Sequence, residues 1–238
     1  MRAGEDLVIL DMGSGLRPLG ESFGGAPVHA SIFLSHYHWD HLQGLPFFGP
    51  AYHPASTLEI RGPTREGKDV RAIVAGQMVA PYFPVGIEAL RAQLTFGAIA
   101  SGQTVMVGRT KVSARELNHP NGALAYRIER DGKAVVYATD TEHGTPADEA
   151  LSQLARDADA LIYDAMYTEE EYRAGKVGWG HSTWQAGVRV VERAGARRLV
   201  LFHHEPSRTD AQLAEILARA QSHAPRTVLA REGDVLEL

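Results

Sequence analysis

The chain has 238 residues, 44% of them hydrophobic, which is enough for one large domain or two small ones with a substantial core. It contains no cysteine, so disulfides and thiolate metal sites are excluded, and a transition metal would have to be held by histidine and carboxylate. The formal net charge of −5 argues against a broad nucleic-acid-binding surface; no apolar run is long enough to span a membrane, and the N-terminal residues lack a signal-peptide core, which fits a cytoplasmic protein.

Leu7-Val8-Ile9-Leu10 reads as a short buried strand ending in Asp11-Met12-Gly13-Ser14-Gly15. The glycines permit a sharp turn, where Asp11 can either cap backbone amides or orient a histidine ligand from behind. A second apolar run, Ser31-Ile32-Phe33-Leu34, leads into Ser35-His36-Tyr37-His38-Trp39-Asp40-His41, which places three of the eleven histidines and an aspartate within six residues. His36 and His38 alternate like side chains leaving an extended segment, so both can point the same way. Asp40 and His41 follow where the chain turns. That arrangement supplies ligands to two adjacent metal ions. Asp40 and Gln43 have capping-box spacing and predict a short helix, soon broken by Pro46, Gly49, Pro50 and Pro54.

Leu58–Arg61 reads as a strand, residues 65–80 have mixed helical character, and Ala80-Pro81-Tyr82-Phe83-Pro84-Val85 interrupts them. The segment 62–92 reads as a cap or substrate loop. Strands are predicted at 93–99, 103–107, 111–117, 123–129 and 134–138, with Arg130-Asp131-Gly132-Lys133 as a hairpin turn. His119 and Asp140 follow two of these strands. The last third alternates helix and strand: a helix over 147–156, then a strand at 160–163 ending in Asp164. Next comes a helix capped by Ser182 and Gln185, with Ala186, Val190 and Ala194 on its apolar face. A strand at 198–202 ends in His203-His204; Thr209 and Gln212 cap a final helix, and residues 226–230 form a last strand. No repeat or linker divides residues 1–238, which read as one domain. Ligand-type residues recur at the ends of buried strands: Asp11, His36 and His38, His119, Asp140, Asp164 and His204. In layered α/β architectures such strand ends converge on a site.

His36-Tyr37-His38-Trp39-Asp40-His41 resembles the H-x-H-x-D-H signature of the metallo-β-lactamase superfamily, and His119, Asp140 and His204 occur in the order of its remaining ligands. The resemblance covers nearly the whole chain. It implies an α+β fold, a four-layer αββα sandwich with two divalent metal ions, zinc first with manganese or iron as alternatives. His36, His38 and His119 would hold one ion, Asp40, His41 and His204 the other, and Asp140 would bridge them. His203 is the alternative to His204. The segment Leu161–Tyr167 together with His181-Ser182-Thr183 resembles the acidic and H-S-T motifs of the tRNase Z-like phosphodiesterase branch. Here Asp164 stands where relatives usually have glutamate, one methylene shorter, so the pair with His181 has less reach. The tRNA-binding arm has no counterpart, and the glycine-rich strand pair usual ahead of Leu7 is missing, which implies a truncated start or an incomplete first sheet.

The resemblance implies hydrolysis of a phosphodiester by a hydroxide activated between two metals, with Asp40 at the centre and His181, held by Asp164, as general acid. The negative charge and missing arm favour a small or cyclic anionic phosphodiester over extended nucleic acid, with no membrane involved and a homodimer left open. Hydrolysis of a lactone, thioester or other carbonyl compound, or a non-catalytic metal-binding sensor, are the alternatives. Arg208 either clamps a phosphate or is an exposed loop residue; His53 and His143 are candidates to touch substrate, and His29 and His223 read as structural or exposed.

Overall fold

The computed structural model describes residues 1–238, which divide into two compact units, Met1–Ala100 with Val107–Arg109, and Ser101–Met106 with Thr110–Leu238. In the first unit, β1 (Arg2–Ala3), β2 (Asp6–Leu10), β3 (His29–Phe33), β4 (Thr57–Gly62) and β5 (Gln93–Ala98) form a sheet in chain order. Only the β1–β2 pair is antiparallel; β2 to β5 run parallel, so each connection must cross over and carry helical or looped chain back along the sheet. Ile9, Ala30, Ile32, Leu58 and Ile60 pack in one cluster with Leu16 of α1 (Leu16–Glu21) and Val70 and Val74 of α2 (Val70–Gly76). The register sets Leu10 beside Phe33 and Phe33 beside Arg61, so β2, β3 and β4 end level. Asp11 and the histidine-rich segment leave that common edge.

The second unit holds β6 (Thr104–Val107, all but its last residue), β7 (Thr110–Leu117), β8 (Ala123–Arg130), β9 (Lys133–Ala138), β10 (Ala160–Asp164), β11 (Leu199–Phe202) and β12 (Val228–Leu229) in the spatial order 12-11-10-9-8-7-6. β7, β8 and β9 form an antiparallel meander, and β9 to β12 are parallel. Asp131 and Gly132 both have positive φ, at 48° and 77°, the turn that matches the strand twist between β8 and β9. The helices α3 (Ala147–Leu154), α4 (Glu169–Arg173), α5 (Trp184–Ala194) and α6 (Asp210–His223) complete the unit, with α3, α5 and α6 contributing to its main core. Each unit is a helix-backed sheet, the composition an αββα architecture requires. No helix is long and apolar enough to cross a membrane.

The structure departs from the sequence expectations at four places. The helix expected from Asp40 is one 3-10 turn, Trp39–His41, because the His41 carbonyl accepts from Met12 N–H (2.8 Å) and Met12 in turn accepts from Gly44 (2.7 Å). The chain is thus drawn away from a continuing helix. The turn after β2 runs directly into α1, where Pro18 falls in the first turn and sacrifices no helical hydrogen bond. Within the segment 62–92, Val70, Val74, Met78, Ile87 and Leu90 join the core of the unit, while residues 66–69, 71–72, 79–82 and 84–85 are exposed. Finally, α5 is capped by Thr183, whose hydroxyl accepts from Ala186 N–H at 3.2 Å. Ser182, expected there, is held extended by the bond from Tyr167 N–H to its carbonyl, and its hydroxyl meets Tyr163 and His143 instead. The capping box at Thr209 and Gln212 is present as expected, and another, Thr168 with Glu171, starts α4.

Candidate functional site

In the first unit the histidine-rich segment is organised by a buried carboxylate. Asp11, at φ 60°, accepts from Ser35 N–H (2.6 Å), Ser35 Oγ (2.8 Å) and His41 Nδ1 (2.8 Å). These contacts determine tautomers. A carboxylate only accepts, so His41 Nδ1 carries a proton toward Asp11, and Nε2 is the nitrogen presented toward Asp40 and to a metal. The Ser35 hydroxyl spends its single proton on Asp11, so at 3.0 Å it accepts from His36 Nδ1, and His36 Nε2 is the lone-pair nitrogen. The rings of His36 and His38 stand 4.5 Å apart and those of His36 and His41 4.2 Å apart, while Asp40 Oδ2 lies 3.1 Å from His41 Nε2. Asp11 therefore orients a candidate ligand rather than merely capping its turn. Glycine is required beneath: a Cβ on Gly44 would sit 2.0 Å from the Gly13 carbonyl oxygen.

The second unit brings its candidates together from four strand ends. His119 follows β7, Asp140 follows β9, Asp164 ends β10 and His203 follows β11. Asp140 and His203 take left-handed φ values of 52° and 55°, which turn both side chains back across the strand ends. His203 Nε2 is 3.4 Å from Asp140 Oδ1, and His119 Nε2 is 3.9 Å from Asp140 Oδ2. His181 Nδ1 lies 3.0 Å from Asp164 Oδ2, so the shorter acidic side chain still closes the pair. Asp164 is itself fixed by Thr141 and Met166 N–H, both at 3.1 Å. The His181 ring stacks on His203 at 5.0 Å. Within this unit His119, Asp140 and His181 form one group whose donor atoms lie within 4.8 Å of each other, and Asp164, His181 and His203 form another. Such histidine and carboxylate donors suit divalent zinc, manganese or iron.

Several expectations need revision. The histidine beside Asp140 is His203, not His204. The left-handed φ of His203 turns that ring toward Asp140, and neither ring nitrogen of the half-buried His204 has a hydrogen-bond partner. Burial, then Arg208 and His203, pull the pKa of His204 below the usual value. Arg208 is no exposed loop residue: it is well buried, donating to the Met166 carbonyl (3.0 Å) and Glu171 (2.8 Å), and so ties its loop to α4. His143 bonds Ser182 Oγ at 2.9 Å, and burial followed by the Arg189 charge lowers its pKa. His53 accepts from Ala55 N–H, His29 meets Thr57 Oγ1 at 2.7 Å, and His223 lies against Trp184.

Glu142 had drawn no attention in the sequence. Its carboxylate accepts from Gly178 N–H (2.6 Å), Tyr172 OH (2.7 Å) and Gly180 N–H (2.9 Å). Burial alone would raise its pKa, but the Gly178, Tyr172 and Gly180 donors outweigh that and hold it below the ordinary carboxylate value. Only its place two residues after Asp140 and the glycines at 175, 178 and 180 hinted at such a role.

A family model described as a beta-lactamase superfamily domain matches residues 12–204. Ribonuclease Z of Gemmatimonas aurantiaca is 27% identical over 290 aligned positions, spanning 100% of this chain and 88% of that protein. The metallo-beta-lactamase fold protein YhfI from Bacillus subtilis superposes with a TM-score of 0.73 at 21% identity, covering 98% of this chain and 87% of that one. The short form of human tRNase Z superposes with a TM-score of 0.71 at 20% identity, covering 100% and 90%.

Proposed function

Since this chain belongs to the β-lactamase superfamily, with the metallo-β-lactamase fold and in its ribonuclease Z-like branch of metal-dependent phosphodiesterases, we propose that it hydrolyses a small anionic phosphodiester at a dinuclear centre. By the resemblance, His36, His38, Asp40, His41, His119, Asp140 and His203 would be the residues that hold the divalent ions. Zinc is the first choice for so histidine-rich a donor set. When bound, two such ions polarise a phosphoryl oxygen and lower the pKa of a water between them.

The observation that carries the reading is the pair of Asp164 and His181, set beside His203 and Asp140 in one unit. Asp164 accepts, so His181 Nδ1 keeps its proton and Nε2 is the nitrogen that can hold and deliver a second one. At that atom a proton can pass to the departing alkoxide oxygen. Asp164, bonded by two backbone amides, keeps the imidazole in that orientation. The N-terminus of α5, two residues on, adds a favourable field for an anion. Hydrolysis of a lactone or thioester has no need of this pair, and a mere sensor has no need of a proton donor.

The net charge of −5 favours a small or cyclic diester, and the ribonuclease Z relative supports RNA as the second reading. The zinc- or manganese-loaded protein should be assayed on bis(p-nitrophenyl) phosphate, a cyclic nucleotide, a 3′-extended tRNA, a lactone and a thioester. Phosphodiester turnover is expected. His181→Ala should lower kcat by about 10²–10⁴-fold on a diester with an alkoxide leaving group, and less on p-nitrophenolate, which departs without a proton. Activity confined to the lactone or thioester would overturn the proposal.

A further inference from the structure

We propose that Glu142 is a positioning residue for His119, acting through the backbone of Gly180. The carboxylate is buried and takes three hydrogen bonds from one loop and its flank, from Gly178 N–H, Gly180 N–H and Tyr172 OH. The Tyr172 hydroxyl, pushed up to about 12 by burial and by Glu142, stays a donor across the working pH range. The backbone of Glu142 is anchored as well: its N–H donates to the Asn118 carbonyl at 2.7 Å and its carbonyl accepts from Asn118 Nδ2 at 3.0 Å, on the residue next to His119.

The far side of Gly180 faces the histidine. The Gly180 carbonyl lies 2.7 Å from His119 Nδ1. A carbonyl can only accept, so His119 Nδ1 carries the proton and Nε2, the nitrogen 3.9 Å from Asp140 Oδ2, keeps the lone pair. The fit leaves no room for a side chain: Gly180 has φ 83°, and a Cβ there would stand 2.2 Å from Pro120 Cδ and 2.5 Å from His119 Nδ1. One peptide unit therefore connects the Glu142 carboxylate to the tautomer of His119. The same unit precedes His181, so its placement also sets where that ring begins.

The inference rests on His119 being a metal ligand, and the test separates it from the hydrolase reading. Glu142→Gln is the discriminating variant. Turned to keep its oxygen on Gly178 and Tyr172, the amide nitrogen would face Gly180 N–H, donor against donor, so that one bond is lost while the loop stays anchored. Tyr172→Phe removes a different donor and leaves Gly180 held. In the metal-free protein, nitrogen–proton correlation spectra of the histidine rings should show His119 as a single Nδ1–H tautomer in the native chain and in Tyr172→Phe, and as a mixture in Glu142→Gln and Glu142→Ala. Zinc affinity, measured by chelator competition, should fall about 10–100-fold in the two Glu142 variants, the usual effect of losing the partner behind a ligand. A Glu142→Gln protein with a native His119 spectrum and native zinc affinity would overturn the proposal. So would a Tyr172→Phe protein perturbed as strongly as Glu142→Gln, since the loop as a whole would then be responsible. If the native protein takes up no divalent metal, the hydrolase reading falls, and the His119 spectrum of the metal-free chain still decides the role of Glu142. Should Glu142→Ala fail to fold, the contrast between Glu142→Gln and Tyr172→Phe remains.

Discussion

Asp11 offers the sharpest separation of stability from metal binding, through the contrast of Asp11→Ala with Asp11→Asn. The buried carboxylate takes three hydrogen bonds, two from Ser35 and one from His41. Hydrogen bonds to a charged group contribute roughly 1.5–3 kcal/mol each, and they are not additive. Removing one partner of such a buried cluster costs about 3–5 kcal/mol. The backbone adds to this, since alanine at φ 60° loses about 1–2 kcal/mol that asparagine largely avoids. Asp11→Ala should therefore lose about 4–7 kcal/mol, which for a chain of this size is a fall in Tm of about 8–28 °C. Asp11→Asn keeps the backbone and one oxygen for Ser35 N–H, so its loss in Tm should be clearly smaller. Its amide nitrogen, however, is a donor where Asp11 Oδ2 accepted. His41 must then accept at Nδ1 and carry its proton on Nε2, and the Ser35 hydroxyl is redirected toward His36 with the same effect. Both rings lose the lone pair that a metal needs, and zinc affinity should fall by at least the about 10–100-fold typical of such changes. Thermal unfolding of the metal-free protein, chelator competition and histidine nitrogen–proton spectra measure the three quantities. An Asp11→Asn protein with native affinity and unchanged His36 and His41 tautomers would refute the reasoning, as would an Asp11→Ala protein melting within about 2 °C of native, less than 1 kcal/mol at this size.

Thr183→Ala should lose about 1 kcal/mol and the hydrogen-exchange protection of the first turn of α5, while Ser182→Ala keeps that protection and loosens Tyr163; the reverse pattern would restore Ser182 as the cap. His203→Ala should weaken zinc binding beyond the about 10–100-fold expected for a supporting residue, and His204→Ala should leave it near native; competition with a chelator distinguishes them. The folded pKa of His143 is lowered by burial, so the native state favours its neutral form, and the associated stability is complete above the unfolded value of 6.5 and lost as pH falls below it. Melting curves of native and His143→Gln protein should accordingly keep a constant separation above pH 6.5 and converge below it; a separation unchanged down to pH 5 would contradict the assignment.

Much of this was legible in the residues because it is local. The spacing of His36, His38, Asp40 and His41, the apolar runs before them, the Asp131-Gly132 turn and the capping box at Thr209 are all read from neighbours in the chain. Family membership follows from the same motifs, and the comparisons bear it out. What failed to show had causes of a different kind. Ser182 and Thr183 are equally good caps on paper; the bond from Tyr167 N–H to the Ser182 carbonyl decides between them. His203 and His204 are adjacent and identical in type, and only the positive φ of His203 beside the end of β9 puts one of them next to Asp140.

The sequence by itself determined that histidines and carboxylates gather at strand ends and that no thiolate can join them, since those properties belong to residue type and period. Tertiary structure decided which nitrogen of each ring keeps its lone pair. That choice depends on a hydrogen bond from a partner 30 residues away in the case of Asp11 and His41, and 61 residues away in the case of Gly180 and His119. No pattern along the chain encodes such a partner, because a carboxylate or carbonyl acquires its meaning for a distant imidazole only when folding brings the two within hydrogen-bonding reach.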